Sequence, residues 1–567
     1  MTTADEFADV DIVDVEPDPT LLWSGATVMV KRKKDATVVS GGVNLLNTII
    51  GAGILSIPFA IARQGLVFGL FLLLVVAFLT HFSMAMLGKV GERVLNDFYA
   101  YSEVPLPDRS ITPSSTPSLA PSDPSTTPRL SIEVAKPEAV PRKSTDSDAP
   151  ITPTDRAQSP AGILRPDSER SASASLDLLR TQTPSTAAAN SGKSPSGVLA
   201  QHQPGNLRPR ITFSWVTKRV KPWLGVVLDI SLVIFCLGVC VAYLILIGDS
   251  MPAVIGYIVD DHSAESVLSL SESASSSLSE VPVSYPVLRR RELWISIAIV
   301  VVSPFIFSKR LNVLRYLSWG TVLCVAYMLC MLIYYFVHDF DRIFSDDNTY
   351  DLGPSDTSAI NNISVFIFSY TCQPNYYAVF DELGDKDRRK RANGSSAVAC
   401  TSSMILYGLF GVLGYFIGGR DVASNVVNSL PTYDTLVLIA RLALIFVVTF
   451  SFPVIFHPMR TCVETMTNGP RFQRFSETAR RTVIALILAL ISWGIAMIFE
   501  QLDVVLSLTG ATGGTIIAYI LPGYLLWLAF PENRKCPGGW FQICGMVLAI
   551  VGIVFMVASV VLSFVHM

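Results

Sequence analysis

Two long apolar stretches of this sequence are interrupted where a membrane-crossing helix should run unbroken. The first covers 40–64 and carries Asn47-Thr48-Ile49-Ile50-Gly51-Ala52-Gly53-Ile54-Leu55 at its centre. The second covers 358–380 and carries Ser369-Tyr370-Thr371-Cys372-Gln373-Pro374-Asn375. Glycine, proline and polar groups are costly deep in a bilayer unless the freed backbone is buried in protein or lines a cavity. Two such breaks in corresponding halves of a chain point to a solute-binding site between them.

The apolar blocks define the class. Half of the 567 residues are hydrophobic and 16% are charged, against about 25% in an ordinary soluble domain. A crossing needs about 20 apolar residues. The spacing predicts eleven, at 40–63, 67–90, 222–248, 292–309, 312–337, 358–380, 396–418, 434–457, 481–500, 503–530 and 540–564. The expected class is an all-α polytopic membrane protein. Basic clusters precede span 1 (Lys31 to Lys34) and separate spans 4 and 5 (Lys309, Arg310). Others separate spans 6 and 7 (Lys386 to Arg391), 8 and 9 (Arg460 to Arg481), and 10 and 11 (Arg534, Lys535). All five share one side, and loop 338–357 on the other side is acidic. Arg289 to Arg291 is the exception. The positive-inside rule then puts the N-terminus in the cytosol and the C-terminus in the lumen or outside.

Residues 101–210 are a different polymer, rich in proline, serine and threonine. Such a segment cannot bury enough apolar surface to offset its ordering entropy. It is expected to be a disordered cytosolic insert between spans 2 and 3, with 1–35 a shorter disordered tail. The transporter-like body is then 36–100 with 211–567. Thr112, Thr116, Thr127, Thr152, Ser159, Thr183 and Ser194 each precede proline, so the insert is either a kinase substrate or a plain solvated tether. With the insert set aside, spans 1–5 and 6–10 are of similar length and each opens on a broken helix. Five crossings per half have odd parity, so the two halves must be inverted repeats, with span 11 added outside them.

The breaks supply the candidate binding residues. Gly51, Ala52 and Gly53 offer flexible backbone and close approach. Amides near Gly53 to Leu55 at the head of the second half-helix suit a carboxylate. Carbonyls near Asn47 to Ile50 suit an ammonium or a cation. Asn47, Thr48 and Ile54 complete this side, and Ser369, Tyr370, Thr371 and Cys372 the other. The plain alternatives are a small-residue packing face for the glycines and an early helix end at Pro374. Thr449, Ser451 and Pro453 in span 8 read equally as cation-binding oxygens or as hydroxyls bonded back to their own helix.

Asp229, Glu500, Asp503 and His457 are read as interfacial groups, with proton transfer as the sharper alternative. Asn362 and Asn393 begin glycosylation sequons, the first close to the membrane and the second on the cytosolic side. The nine cysteines show no metal or disulfide spacing. No nucleophile–base pair, phosphate loop or basic aromatic patch is visible, which argues against an enzyme, a cofactor and nucleic-acid binding.

Five segments together resemble the amino acid/auxin permease family, including fungal-type vacuolar amino acid transporters and sodium-coupled neutral amino acid transporters. They are Asn44 to Pro58, Tyr243 to Pro252, Phe368 to Asn375 leading to Glu382-Leu383, Phe452 to Arg460, and Gly510 to Gly514. The resemblance implies the five-plus-five inverted-repeat fold with eleven helices and amino acid transport between spans 1 and 6. In sodium-coupled relatives it implies ion-binding roles matching Asn47 and a span 8 hydroxyl, here Ser451. The expected function is secondary active amino acid transport in a vacuolar or lysosomal membrane, coupled to H⁺ or Na⁺. The alternatives are an amino acid sensor signalling through its cytosolic tails, sodium-coupled uptake at the plasma membrane, and a channel. The expected partners are an amino acid, the lipid bilayer and kinases acting on 101–210.

Overall fold

The computed structural model describes residues 29–31, 36–102, 207–271, 287–307, 317–344, 350–354, 359–467, 476–531 and 539–565. The chain divides into two units, 1–104 with 204–567, and 105–203. The second unit lies outside the described residues, as do Lys309, Arg310, Arg471, Arg474, Arg534 and Lys535 and nearly all of the expected N-terminal tail.

The first unit is helical. It runs α1 (Val38–Ile49), a 3₁₀ turn (Ala52–Ser56), α2 (Ile57–Gln64), α3 (Leu66–Ser102), α4 (Phe213–Val220), α5 (Pro222–Ser271), α6 (Arg291–Phe307) and α7 (Leu317–His338). There follow α8 (Phe340–Ile343), α9 (Ala359–Tyr370), α10 (Gln373–Glu382), α11 (Arg388–Gly418), α12 (Thr435–Met466) and α13 (Glu477–Ile498). Next come α14 (Leu502–Thr509), π-helical turns at Gly510–Gly514 and Ile516–Ile520, α15 (Leu521–Ala529) and α16 (Trp540–Val565). Helix starts follow polar side chains that take up an orphan amide. Thr37 accepts from the Ser40 N–H, Thr212 from Trp215, Asp434 from Leu436 and Ser476 from Ala479.

Among the described residues, eight helices are long and apolar enough to cross a bilayer. They become nine if α1 and Ala52–Gln64, bent by 57° at the first break, count as one. Two stretches expected to cross fall outside that count. One is α6, at 17 residues, and the other is α9 with α10, split by Thr371 and Cys372. The all-α expectation has one small departure. Met29–Lys31 (β1) pairs antiparallel with Leu207–Pro209 (β2), inside segments expected to be tail and insert.

Helix α12 packs along α5, and α11 lies between α1 and α3. The two broken helices meet where α9 lies against the 3₁₀ turn and α2, and α10 against α1. The glycines of 510–514 are a close-packing seat rather than a loop. A side chain on Gly510 would overlap the Ser364 carbonyl, and one on Gly513 would come within 2.9 Å of the Ser231 carbonyl. That closeness, with the π-turns, places this stretch directly against α9 and α5. Exposed apolar side chains such as Val300, Leu323, Ile498 and Val554 clothe the outside, as a surface facing hydrocarbon requires.

Candidate functional site

The first break is made by extended backbone. Helix α1 closes with the Ile50 N–H donating to the Leu46 carbonyl at 2.9 Å. Ile50 (φ −68°, ψ 97°) and Gly51 (φ −142°, ψ −154°) then run extended. The next helical bond runs from the Ile54 N–H to the Gly51 carbonyl at 3.3 Å. A helix start leaves its first amides without intrahelical partners, and a helix end leaves its last carbonyls so. The Ala52 and Gly53 amides and the last carbonyls of α1 are therefore left without intrahelical partners at the break. The expected reason for Gly51 is corrected here: it adopts no left-handed conformation, and its backbone would suit any residue.

The second break is tighter. The Thr371 N–H donates to the Phe368 carbonyl at 3.2 Å, and the Asn375 N–H to the Cys372 carbonyl at 3.1 Å. Pro374 sits in the first turn of α10, where its missing N–H costs nothing.

A single hydroxyl joins the two breaks. Tyr407 of α11, fully buried, places its hydroxyl 2.7 Å from the Ile49 carbonyl and 3.2 Å from the Ser369 carbonyl. Its ring meets Tyr370 edge-on, with centroids 5.3 Å apart. A second link lies beside it. Asn375 Nδ2 donates to the Thr48 hydroxyl at 3.1 Å, and that hydroxyl donates to the Asn44 carbonyl at 3.2 Å. The free ends of both broken helices are thus held in register by α11 and by each other.

The sequence-derived residues fall into three groups. Gly51 borders open space, since a Cβ there would meet only the Ile49 carbonyl, at 4.0 Å. Asn47 turns a buried Oδ1 into the interior with no hydrogen-bond partner among the described residues. These two, with Thr48, lie at or just before the first break. Gly53 is differently placed. A Cβ there would lie 2.8 Å from Ser369 Cβ and 2.9 Å from its Cα, so this glycine serves helix-to-helix packing. Ala52 and Ile54 are buried beside it. Ser369 and Thr371 bond back to the Val365 carbonyl (2.8 Å) and the Ile367 carbonyl (2.7 Å) of their own helix. Those hydroxyl protons are engaged within α9, a competition that serine and threonine often show. Cys372 Sγ sits 3.7 Å from Met84 Sδ of α3. Thr449 and Ser451 are half-buried on α12, which packs on α5, α6, α7 and α13. No hydrogen bond among the described residues joins them to Asn47.

The sequence reading missed Tyr407, because a lone tyrosine in an apolar span looks like core. Gln373 and Asn375 lie in the second break with no role evident from sequence. Gln373 is fully buried, and neither end of its amide has a partner among the described residues. An unsatisfied buried amide costs about 1–3 kcal/mol. Gln373→Leu should therefore leave the melting temperature unchanged or raised, while uptake falls about tenfold if the amide serves a ligand, since tenfold in rate or affinity corresponds to about 1.4 kcal/mol. Thermal melting and uptake on the same preparation check this.

Asp229 was expected to be solvated. It is 6% exposed and paired with Lys218 of α4 at 3.5 Å. Asn362, the first sequon residue, is buried in α9. Among the described residues, no group of three or more His, Cys, Asp or Glu is placed to hold a metal ion. The two breaks offer amide donors and carbonyl acceptors, and Asn47, Thr48, Gly51, Gln373 and Asn375 bring no formal charge to them.

This arrangement sits within a wider likeness. The family described as "Transmembrane amino acid transporter protein" matches residues 34–105 and 209–565, nearly all of the chain outside 106–208 and the N-terminal tail. The vacuolar amino acid transporter 5 of Schizosaccharomyces pombe is 28% identical over 331 residues, covering 58% of this chain and 72% of that protein. The vacuolar amino acid transporter 5 of Saccharomyces cerevisiae is 28% identical over 417 residues, covering 64% and 87%. The sodium-coupled neutral amino acid transporter 4 of Rattus norvegicus is 29% identical over 204 residues, covering 35% and 36%. This multi-pass membrane chain belongs to the transmembrane amino acid transporter family.

Proposed function

We propose that the protein carries amino acids with uncharged side chains across a vacuolar or lysosomal membrane by alternating access, driven by an H⁺ or Na⁺ gradient. The carrying observation is the meeting of two broken helices whose carbonyl ends share the Tyr407 hydroxyl. Fixed amides at the head of the 3₁₀ turn would take the substrate carboxylate, and carbonyls near Asn47 and Tyr370 its ammonium. Both partners are dipoles rather than formal charges, so a zwitterion is matched without burying a net charge. Tyr370, Thr371, Cys372 and Gln373 would shape the side-chain pocket. The membership of the family and the names of its vacuolar relatives support the substrate class and the organelle.

In this reading the chain crosses the membrane eleven times as two inverted five-helix repeats plus α16, with its N-terminus cytosolic and its C-terminus luminal. Helix α1 exposes Ser40, Asn44 and, partly, Thr48 along one stripe, and α10 exposes Asn375 and Ala378. That polar stripe leads from the predicted cytosolic end to Gly51, whereas Ala52–Gln64 beyond the break are, apart from Arg63, buried. The protein is accordingly open toward the cytosol. A sodium ion, if it is the coupling ion, would sit between Asn47, Thr449 and Ser451 once α12 closes on α1. The 101–210 insert would be a kinase-controlled tether.

A panel of the twenty amino acids against the detergent-purified protein tests the site. At millimolar concentration, at least one with an uncharged side chain should raise the melting temperature, as any ligand selective for the folded state does. The shift should vanish in Gly51→Val. No shift with any amino acid, or a shift untouched by that substitution, would sink the assignment.

A further inference from the structure

Tyr407 ties the broken helices at their centre, and a second tie lies beyond α2, in the acidic loop that precedes α9. Residues 350–353 of that loop hold several neighbours at once. The Leu66 N–H donates to the Asp351 carbonyl at 2.8 Å, and the Phe68 N–H to the Leu352 carbonyl at 3.4 Å. These amides open α3, where a helix supplies no acceptor of its own.

The corner between α2 and α3 is shaped for this contact. Gly65 takes φ 77° and ψ 154°, a backbone region that is essentially glycine's alone. A Cβ there would overlap the backbone of Gly353. The loop therefore lies directly on the end of α2, the second half of the first broken helix.

The same residues grip the end of α11. The Asp351 N–H donates to the Tyr415 hydroxyl at 2.9 Å. Arg420, in the 3₁₀ turn Gly419–Asp421, donates to Asp351 Oδ1. The Tyr350 hydroxyl lies 2.7 Å from the Ile343 carbonyl and 3.2 Å from the Phe416 carbonyl, with its ring 5.1 Å from that of Phe416. Asp351 thus joins the α2–α3 corner to α11, the helix whose Tyr407 meets both breaks, and the chain beyond it runs into α9. Residues 52–64 are buried apart from Arg63, so the loop sits over the closed end of the path.

We propose that segment 350–353 is the luminal latch of alternating access. Asp351 is its positioning residue, and the Asp351–Arg420 pair sets how often the corner is released. The proposal rests on the alternating-access reading above. Opening the path at this end parts the α2–α3 corner from α11, so these contacts belong to the closed state and bias the equilibrium toward it. Asp351 is 19% exposed and Arg420 53%. An ion pair so open to solvent is a weak tie, suited to a latch that is released on every cycle.

The test uses the full-length protein in liposomes, with amide hydrogen exchange and equilibrium exchange of a labelled mixture of neutral amino acids. The Leu66 and Phe68 amides report the latch. The Ala36 amide, which donates to the Glu382 carbonyl at 2.9 Å, is the control. Asp351→Arg and Arg420→Asp should each speed hydrogen exchange at Leu66 and Phe68 about threefold, the scale of an exposed ion pair, and leave Ala36 unchanged. The double variant should return to the wild-type rate. Amino acid exchange, which needs the luminal end to open on each cycle, should rise in the single variants and fall back in the double. Unmoved latch amides, a double variant as fast as the singles, or an equal rise at Ala36 overturns the proposal. Faster latch amides without faster amino acid exchange overturn the link to the path. A wild type that moves no amino acid overturns the transport reading beneath it. If the charge reversals fail to fold, Arg420→Gln decides by the same readings, and unmoved latch amides there overturn the proposal.

Discussion

Tyr407→Phe should reduce uptake about tenfold to a hundredfold while leaving the protein folded. The substitution deletes one oxygen and keeps the ring that packs edge-on against Tyr370. It removes the single hydroxyl proton shared between the carbonyls of Ile49 and Ser369, at the ends of the first halves of the broken helices. Leaving a buried acceptor unsatisfied costs about 1–3 kcal/mol, which sets the size of the loss if the cost falls on the transport-competent arrangement. Both helix ends also lose their common reference point, so the amides and carbonyls of the gap no longer hold one geometry. A misplacement of about 1 Å in such a constellation is enough for large losses of function. Phe at this position should therefore lower turnover more than it lowers the melting temperature. Initial rates of uptake and thermal melting on the same preparation distinguish the two. Wild-type rates would show that the hydroxyl has no role in aligning the breaks.

The second large effect separates two neighbouring glycines. Gly51→Val should abolish transport, about a hundredfold or more, with expression and melting near wild type. The backbone at Gly51 is extended and the space beside it open, so a branched side chain fits and fills the gap a substrate would occupy. Gly53→Val should instead reduce the amount of folded protein, because the new side chain would overlap Ser369. Overpacking of this kind costs about 1–3 kcal/mol, and more where backbone rather than a movable side chain is the obstacle. Size-exclusion profiles and uptake, measured for both variants, check the contrast. Equal behaviour of the two would mean that the gap at Gly51 is not the substrate's path.

Much of this was legible in the chain itself, for a physical reason. A bilayer permits few backbone solutions, so apolar length and interruptions carry unusual weight. Both interruptions fall where the helices break, with α1 ending at Ile49 and α9 at Tyr370. Thr37, Thr212, Asp434 and Ser476 mark helix starts in a way that local hydrogen bonding makes readable. The assignment of individual groups was less legible. Gly51 and Gly53 are equivalent in sequence, yet one borders space and the other touches α9, a difference set by a neighbour more than 300 positions away. Ser369 and Thr371 read alike in sequence as substrate-facing hydroxyls, but their protons are donated to carbonyls of their own helix, which composition does not reveal. Tyr407 meets its partners on other helices, and no periodicity or composition announces such pairings.

The central claim is that the gap between the two broken helices carries an amino acid against its gradient. Reconstituted full-length protein, loaded into liposomes and given an imposed H⁺ or Na⁺ gradient, measures it directly with a labelled mixture of neutral amino acids. The expected result is saturable accumulation, rising toward about tenfold above the outside concentration for a one-unit pH step or its Na⁺ equivalent with one coupled ion, since a tenfold ratio corresponds to about 1.4 kcal/mol. That accumulation should disappear in Gly51→Val. No accumulation under either gradient, or flux in Gly51→Val equal to wild type, would contradict it.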